Sequence, residues 1–433
     1  MEILSLGEKI KRRRKEMKLT LKDLAGDRIT PGQISLVESG KSNPSMDLLE
    51  YLADRLETSI EYLLETEEHQ AEKICIYYEN IAEASMIDED LTSAERNIDM
   101  SIYYSEKYNL EYRKAKNLYF KGKIHSLREE YSAAQEFFLS ANAFFIRLNH
   151  HEDTINTLLG LGKVTYQLRA YHSAISYFQQ AEKVYCDNEL GNDILIAEIY
   201  YYIALTFYKL DNIEKSINYS FLAKEKFDQL GNIRNYGKAM MLIAKEYNRK
   251  GDINNAIKYS KKTLEIFKKL EDTYYIGEIE NNLGRLFYEF ENIEQSFVHL
   301  NRAKEIRRRI NDNKLSETLL NLCENYIKLK DLENCKIILE ELMDNIKDGD
   351  NKGLINYYLL KYRVNLLEDN FKEAEHTLLT ALNFAHNMEL MKQAAEISIT
   401  LGKLYIDNKL DKEAAKYLNE GVEIFKELGI IKE

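Results

Sequence analysis

The feature that most restricts how this 433-residue chain can fold is a spacing. Small residues recur at Ala82, Gly122, Gly162, Ala204, Ala244, Gly284, Cys323 and Gly402, with Tyr362 occupying the eighth position of the series. The steps are 40, 40, 42, 40, 40, 39, 39 and 40 residues. A second series lies twelve residues later, at Ala94, Ala134, Ala174, Ser216, Ala256, Ser296, Cys335, Ala374 and Ala414. A third follows seven residues after that, at Ser101, Ala141, Ala181, Ala223, Thr263, Ala303, Leu342, Ala381 and Gly421. Three registers in phase over nine units specify a repeat architecture, in which stacked units bury a core that no single unit could bury alone.

Two prolines and 18 glycines in the whole chain argue for long, nearly continuous helices. Each unit reads as a helix, a short turn such as Leu210-Asp211-Asn212 or Lys250-Gly251-Asp252, and a second antiparallel helix. The small residues let the helices approach, and Phe178, Phe207, Tyr247, Phe267 and Phe287 fill the seam. Tyr362 and Leu342 depart from the small-residue rule. The pattern resembles tetratricopeptide repeats, whose usual period is about 34 residues, so the longer period here implies longer helices or turns. The fold class is all-α.

The first sixty-six residues lack the repeat. Ser5 can cap a helix reaching about Met17, and Thr20 with Asp23 can cap a second that ends at Gly26. Thr30, Pro31 and Gln33 open a third, ending at Ser39-Gly40. Ser45 caps a fourth with Leu48, Leu49, Leu52 and Leu56 as its stripe, and Thr58-Ser59 with Glu61 opens a fifth through Leu64. Five short helices with a tight turn between the second and third are a helix-turn-helix layout. Residues 6–64 resemble the phage-repressor (Xre/Cro) type of that domain, on the LxxLA, the ESGKSNPS and the closing SIEYLL, with a turn shorter by about one residue at Gly26 to Ile29.

The resemblance makes Pro31 to Glu38 the recognition helix, with Pro31, Gly32, Gln33 and Leu36 in base-facing slots. Gln33 alone among the four has an amide that can bond a base bidentately, adenine being the usual match. Pro31 and Leu36 can touch only thymine methyls, so direct readout is thin and DNA shape supplies part of the specificity. Thr20, Lys22, Thr30, Ser39, Lys41 and Ser42 are candidate backbone contacts. Arg14 and Glu38 match an ion pair buried in that domain type. The run Lys9, Lys11, Arg12, Arg13, Arg14, Lys15 and Lys18 adds a local basic cluster, although residues 1–66 hold 11 Lys/Arg and 12 Asp/Glu.

The remainder holds 49 basic and 60 acidic residues, from chain totals of 60 and 72. The N-terminus has no apolar core of a secretory signal, and no run approaches the roughly 20 apolar residues of a membrane span. The four cysteines, Cys75, Cys186, Cys323 and Cys335, lack metal-ligand spacing. Cys323 and Cys335 can face each other across a hairpin, where we expect reduced core thiols. There is no HExxH, GxxxxGK[ST], GxSxG or glycine-rich phosphate loop, so neither catalysis nor a metal or cofactor is expected.

A repressor-like head (1–66) before nine repeats (70–433) resembles the RRNPP-type (PlcR/NprR/PrgX-like) quorum-sensing transcription regulators. The resemblance implies a cytoplasmic homodimer that binds double-stranded DNA at a palindromic operator and a short signalling peptide in the concave groove of the repeats. Carrying over the groove-facing slots of tetratricopeptide proteins gives Lys116, Tyr119, Lys123, Asn156, Lys163, Tyr166, Tyr201, Tyr208, Lys245, Asn248, Asn281, Arg285, Tyr288, Asn356 and Arg363, with Glu317 and Glu324 beside them. Asn156, Asn248, Asn281 and Asn356 fit the asparagines that hold the peptide backbone in that family. The alternative is an adaptor that docks and inhibits a response regulator.

Overall fold

The computed structural model describes residues 2–347 and 349–431, and these hold helices and no strand. The first five helices are α1 (Leu6–Glu16), α2 (Leu21–Ala25), α3 (Pro31–Glu38), α4 (Met46–Arg55) and α5 (Ile60–Leu64). Each begins on a hydroxyl that accepts from a backbone N–H: Ser5, Thr20, Thr30, Ser45 and Ser59. At α1, α2 and α3 the side chain of Glu8, Asp23 or Gln33 reaches back to close a full capping box. Ile10, Leu24, Ile34, Val37, Leu49, Leu52, Leu56 and Leu63 form the core of this head.

The repeats follow as α6 (Glu67–Ile87), α7 (Leu91–Lys107), α8 (Glu111–Leu127), α9 (Tyr131–Arg147), α10 (His151–Gln167), α11 (Tyr171–Asp187) and α12 (Asp193–Lys209). Then come α13 (Ile213–Gln229), α14 (Ile233–Arg249), α15 (Ile253–Lys269), α16 (Thr273–Glu289), α17 (Ile293–Arg309), α18 (Leu315–Leu329) and α19 (Leu332–Asn345). The last are α20 (Asn351–Leu367), α21 (Phe371–Asn387), α22 (Met391–Asp407) and α23 (Asp411–Glu427). The 40-residue period therefore comes from helix length. Most of these helices have 17 residues and are joined by short turns such as 128–130, the shortest being 330–331.

By its own contacts the chain divides into two compact units, Met1–Asn212 and Ile213–Glu433. The first holds the head, three complete repeat pairs and α12. The second holds α13 and five complete pairs. Within the first unit the head is tied to α6. Gln70 Nε2 donates to the Leu4 carbonyl at 2.9 Å, and Gln70 Oε1 accepts from the Leu4 N–H at 3.1 Å.

All three small-residue registers are buried throughout, Tyr362 excepted. A Cβ built on Gly162 would lie 2.3 Å from Phe178 Cε1, which shows how closely α10 and α11 approach. Phe178 and Phe267 are fully buried, as the sequence predicts, and Phe207 and Phe287 nearly so. Leu342 is also fully buried and simply fills its seam. Cys323 and Cys335 are buried free thiols in contact, and burial pushes them up to about 12 and about 11.

The turns differ from expectation in one respect. Asn, Asp or Gly was expected at them, and Asp211 and Gly251 do adopt positive φ. Many others carry the left-handed residue without glycine's freedom, including Glu89, Glu129, Arg169, Glu271, Glu291, Lys330, Glu389 and Lys409, with φ between 54 and 62°. Here the geometry is set by docking of the flanking helices and not by the residue at the turn.

Candidate DNA-reading face and inner-helix cleft

Helix α3 is held from behind. Arg14 and Glu38 form a bidentate pair, Nε to Oε1 at 2.6 Å and Nη2 to Oε2 at 2.9 Å, and Arg14 Nη1 donates to the Leu19 carbonyl. Glu38 keeps the guanidinium above its usual range. A Cβ on Gly7 would lie 2.5 Å from the Val37 carbonyl oxygen, so α1 crosses the end of α3 with no room for a side chain. Tyr51 Oη donates to the Ala25 carbonyl and steadies α2. With Ile34 and Val37 buried, α3 exposes Pro31, Gly32, Gln33, Ser35 and Leu36. Thr20, Lys22, Thr30, Ser39, Lys41 and Ser42 are exposed as well.

Two expectations change. Gln33 Oε1 already accepts from Thr30 N at 3.0 Å and from Thr30 Oγ1 at 3.3 Å, which leaves its NH₂ as the free polar group. In this state it presents a donor, not the donor–acceptor pair that adenine needs. The basic run is also not one DNA-facing surface. Lys9 is 1% exposed, with Nζ donating to the carbonyls of Tyr62 and Glu65 at 2.8 and 2.6 Å. Arg13 donates to the Leu56 and Glu57 carbonyls, and Arg14 faces inward. These three bind the head together, and Lys11, Lys15 and Lys18 remain exposed.

In the first unit, two of the groove candidates on α8 and α10 are engaged by neighbouring carboxylates. Lys116 meets Asp153 at 3.0 Å, and Lys163 meets Glu198 at 2.6 Å while lying 4.8 Å from the Tyr202 ring centre. Lys123 rests over the Tyr119 and Phe120 rings and pairs with no carboxylate among the described residues. Burial pulls its pKa below the usual lysine range and pushes Tyr119 up to about 12. Asn156, Tyr166, Tyr201 and Tyr208 are half-buried.

In the second unit, a cleft of about 500 Å³ opens between α16, α18, α20 and α22. It gathers Arg285, Asn356 and Arg363 from the expected set, together with Glu317 and Glu324. Arg363 lies 3.5 Å from Glu324. Asn281 is 1% exposed and sits behind the cleft, bonded to Asn321 at 3.1 Å and to Glu317 at 3.3 Å, so Asn321 is the amide at the surface. Lys245, on α14, is paired with Glu278 at 2.7 Å. Asn248 is half-buried, and Tyr288 lies under Lys328.

The cleft also contains Leu320, Leu359, Tyr362 and Thr400, which the sequence reading missed. Leu320 and Leu359 both stand three residues before the first small position of their repeats, the slot that Tyr119 and Tyr201 hold in theirs, so the register marks them although they are apolar. Tyr362, which breaks the small-residue rule, is half-buried: it lines the cleft and also packs against the core of the last repeats.

Residues 10–63 match the helix-turn-helix family, and residues 237–269, which cover most of α14 and all of α15, match the tetratricopeptide repeat family. Over 344 residues the chain is 22% identical to the transcriptional activator NprA of Geobacillus stearothermophilus, covering 76% of this chain and 79% of that protein. It is 21% identical over 260 residues to the regulatory protein RapG of Bacillus subtilis, covering 59% and 69%. The fold is similar to that of the apo quorum sensor NprR from B. thuringiensis, with a TM-score of 0.61 at 15% identity, covering 83% of this chain and 99% of that one. No helix among the described residues is long and apolar enough to cross a membrane. The chain thus joins a head that matches the helix-turn-helix family to an array with a tetratricopeptide match, and it is similar in sequence to a transcriptional activator and in fold to a quorum sensor.

Proposed function

We propose that the chain is a peptide-responsive transcriptional regulator of the cytoplasm. Residues 1–66 bind double-stranded DNA through the exposed start of α3, and residues 70–433 bind a short signalling peptide on the inner helices of the repeats. Two chains pair so that two copies of α3 meet a palindromic operator about one helical turn apart. The observation that carries this reading is the braced, outward-facing α3. Glu38 and Gly7 fix it from behind, and its bare Pro31-Gly32 start is free to approach a groove edge. Peptide shifts DNA affinity only to the extent that it binds one arrangement of the array better than another.

Gel-shift titration of the full chain on duplex fragments upstream of its own gene tests the head. Gly32 has open space around its missing Cβ, the nearest atom being Thr30 Oγ1 at 3.8 Å. Gly32→Glu therefore folds normally and places a carboxylate against the phosphates. Retention by the wild type and its loss in Gly32→Glu, with unchanged melting, are expected. The similarity to RapG and the thin base-reading surface favour one second reading, an adaptor that docks a response regulator. Absence of any shift would move the assignment to that reading.

A further inference from the structure

Beside the cleft of the second unit lies a smaller pocket of about 140 Å³, which shares Arg285, Asn321 and Glu324 with it. Two of its groups lack partners. Arg285 forms no ion pair or hydrogen bond with any described residue. Asn325 is 0% exposed, and its Oδ1 has no hydrogen-bond partner. The orientation of that amide follows from its neighbours. Ser296 gives its hydroxyl proton to the Gly284 carbonyl at 2.7 Å, so Ser296 Oγ must accept from Asn325 Nδ2 at 2.8 Å. The orphan is therefore an acceptor, and a buried acceptor left unpaired carries its full desolvation cost.

The pocket thus offers a cation that wants an acceptor and an acceptor that wants an N–H. Its two carboxylates, Glu289 and Glu324, disfavour an incoming anion, and Arg363 already engages Glu324. At roughly 30 Å³ per water-sized group the space suits four or five non-hydrogen atoms, the size of one polar side chain. We infer that this pocket takes a carboxamide side chain, glutamine or asparagine, of the bound peptide. Its carbonyl oxygen accepts from Arg285 and its NH₂ donates to Asn325 Oδ1. The inference rests on the peptide-binding reading above and adds a sequence requirement to it.

The test is affinity selection of a randomised heptapeptide library on the full chain, with retained sequences read by mass spectrometry. The selection is repeated on Arg285→Met, at an exposed position, and on Asn325→Leu, with both variants checked by thermal melting. The expected result is enrichment of Gln or Asn at one position by roughly ten-fold, the effect of one charge-assisted hydrogen bond. Both variants should lose that enrichment while still retaining peptides. Should Asn325→Leu fail to fold, Arg285→Met decides alone. Peptides retained without carboxamide enrichment, or with enrichment unchanged in Arg285→Met, would overturn the inference and leave the peptide-binding reading intact. No retained peptide at all would overturn both.

Discussion

Glu38 in the head and Glu246 in the repeats are both buried carboxylates, and the two regions treat them in opposite ways. Glu38 faces a guanidinium that returns two hydrogen bonds. Glu246, on α14, is 0% exposed and meets only the hydroxyls of Ser216 and Ser220, the latter at 2.6 Å, while its second oxygen has no partner. Burial pushes it up to about 7. The same contrast runs through the helix starts. Every helix of the head opens on a side-chain cap, whereas α8, α9, α10, α11, α12, α18, α22 and α23 start without one. The head is short and relies on explicit polar contacts. The array is long and relies on repeated packing, which tolerates an uncapped helix or a poorly solvated acid.

Glu38→Ala separates the two regions most sharply. It strips a buried pair of one partner, and such losses cost about 3–5 kcal/mol. Hydrogen exchange should show α1 to α3 opening while α14 to α23 keep their protection. Equal loosening of both would contradict the division.

Glu246→Gln probes the array in the same way with the opposite sign. The folded pKa lies above the unfolded value, so between about pH 4.5 and 7 the unfolded chain gives up its proton first and stability falls as pH rises. The penalty fully present above pH 7 amounts to about 3 kcal/mol at 1.36 kcal/mol per unit. In denaturant melts the Glu246→Gln variant, whose amide oxygen still accepts from both serines, should lose that slope and be more stable than the wild type at pH 8. A wild-type-like slope would place the titration elsewhere.

Caps and turns give smaller effects. Thr30→Ala removes the cap of the recognition helix and should cost about 1 kcal/mol, measured as a drop in the denaturation midpoint of the head. It removes only the hydroxyl bond to Gln33 Oε1 and leaves the one from the backbone N–H of residue 30, so Gln33 should keep a donor-only face and base preference should not move toward adenine, readable by binding to a panel of duplexes. Glu129→Gly relieves a left-handed residue between α8 and α9 at φ 62°. It should stabilise the array by about 0.5–1 kcal/mol in the same melts.

Legibility of the sequence divides along the same line. In the head, Ser5, Thr20, Thr30, Ser45 and Ser59 announce their helices in the text, because a cap is a local contact between residues three apart. The repeats were readable through their period, since a close approach needs a small residue at every crossing. The turns were not, because Glu, Arg and Lys carry no left-handed preference of their own and take that geometry from the helices they join. Pairing was also hidden. Nothing near Lys9 in sequence signals that its ammonium caps the carbonyls of Tyr62 and Glu65, more than fifty residues away. In the cleft, the repeat register located Arg285, Asn356 and Arg363, but Asn321 and Asn325 emerge only when α16, α17 and α18 are set side by side.

The most direct test of coupling between the array and the head is fluorescence anisotropy of the full chain on labelled upstream duplex, titrated with and without a saturating library-selected peptide. Coupling energies of this kind are typically about 1–3 kcal/mol, so DNA affinity should change by roughly five-fold or more in either direction. The reciprocal change should appear in peptide affinity when DNA is added first. Identical DNA affinities with and without bound peptide would contradict the regulator reading.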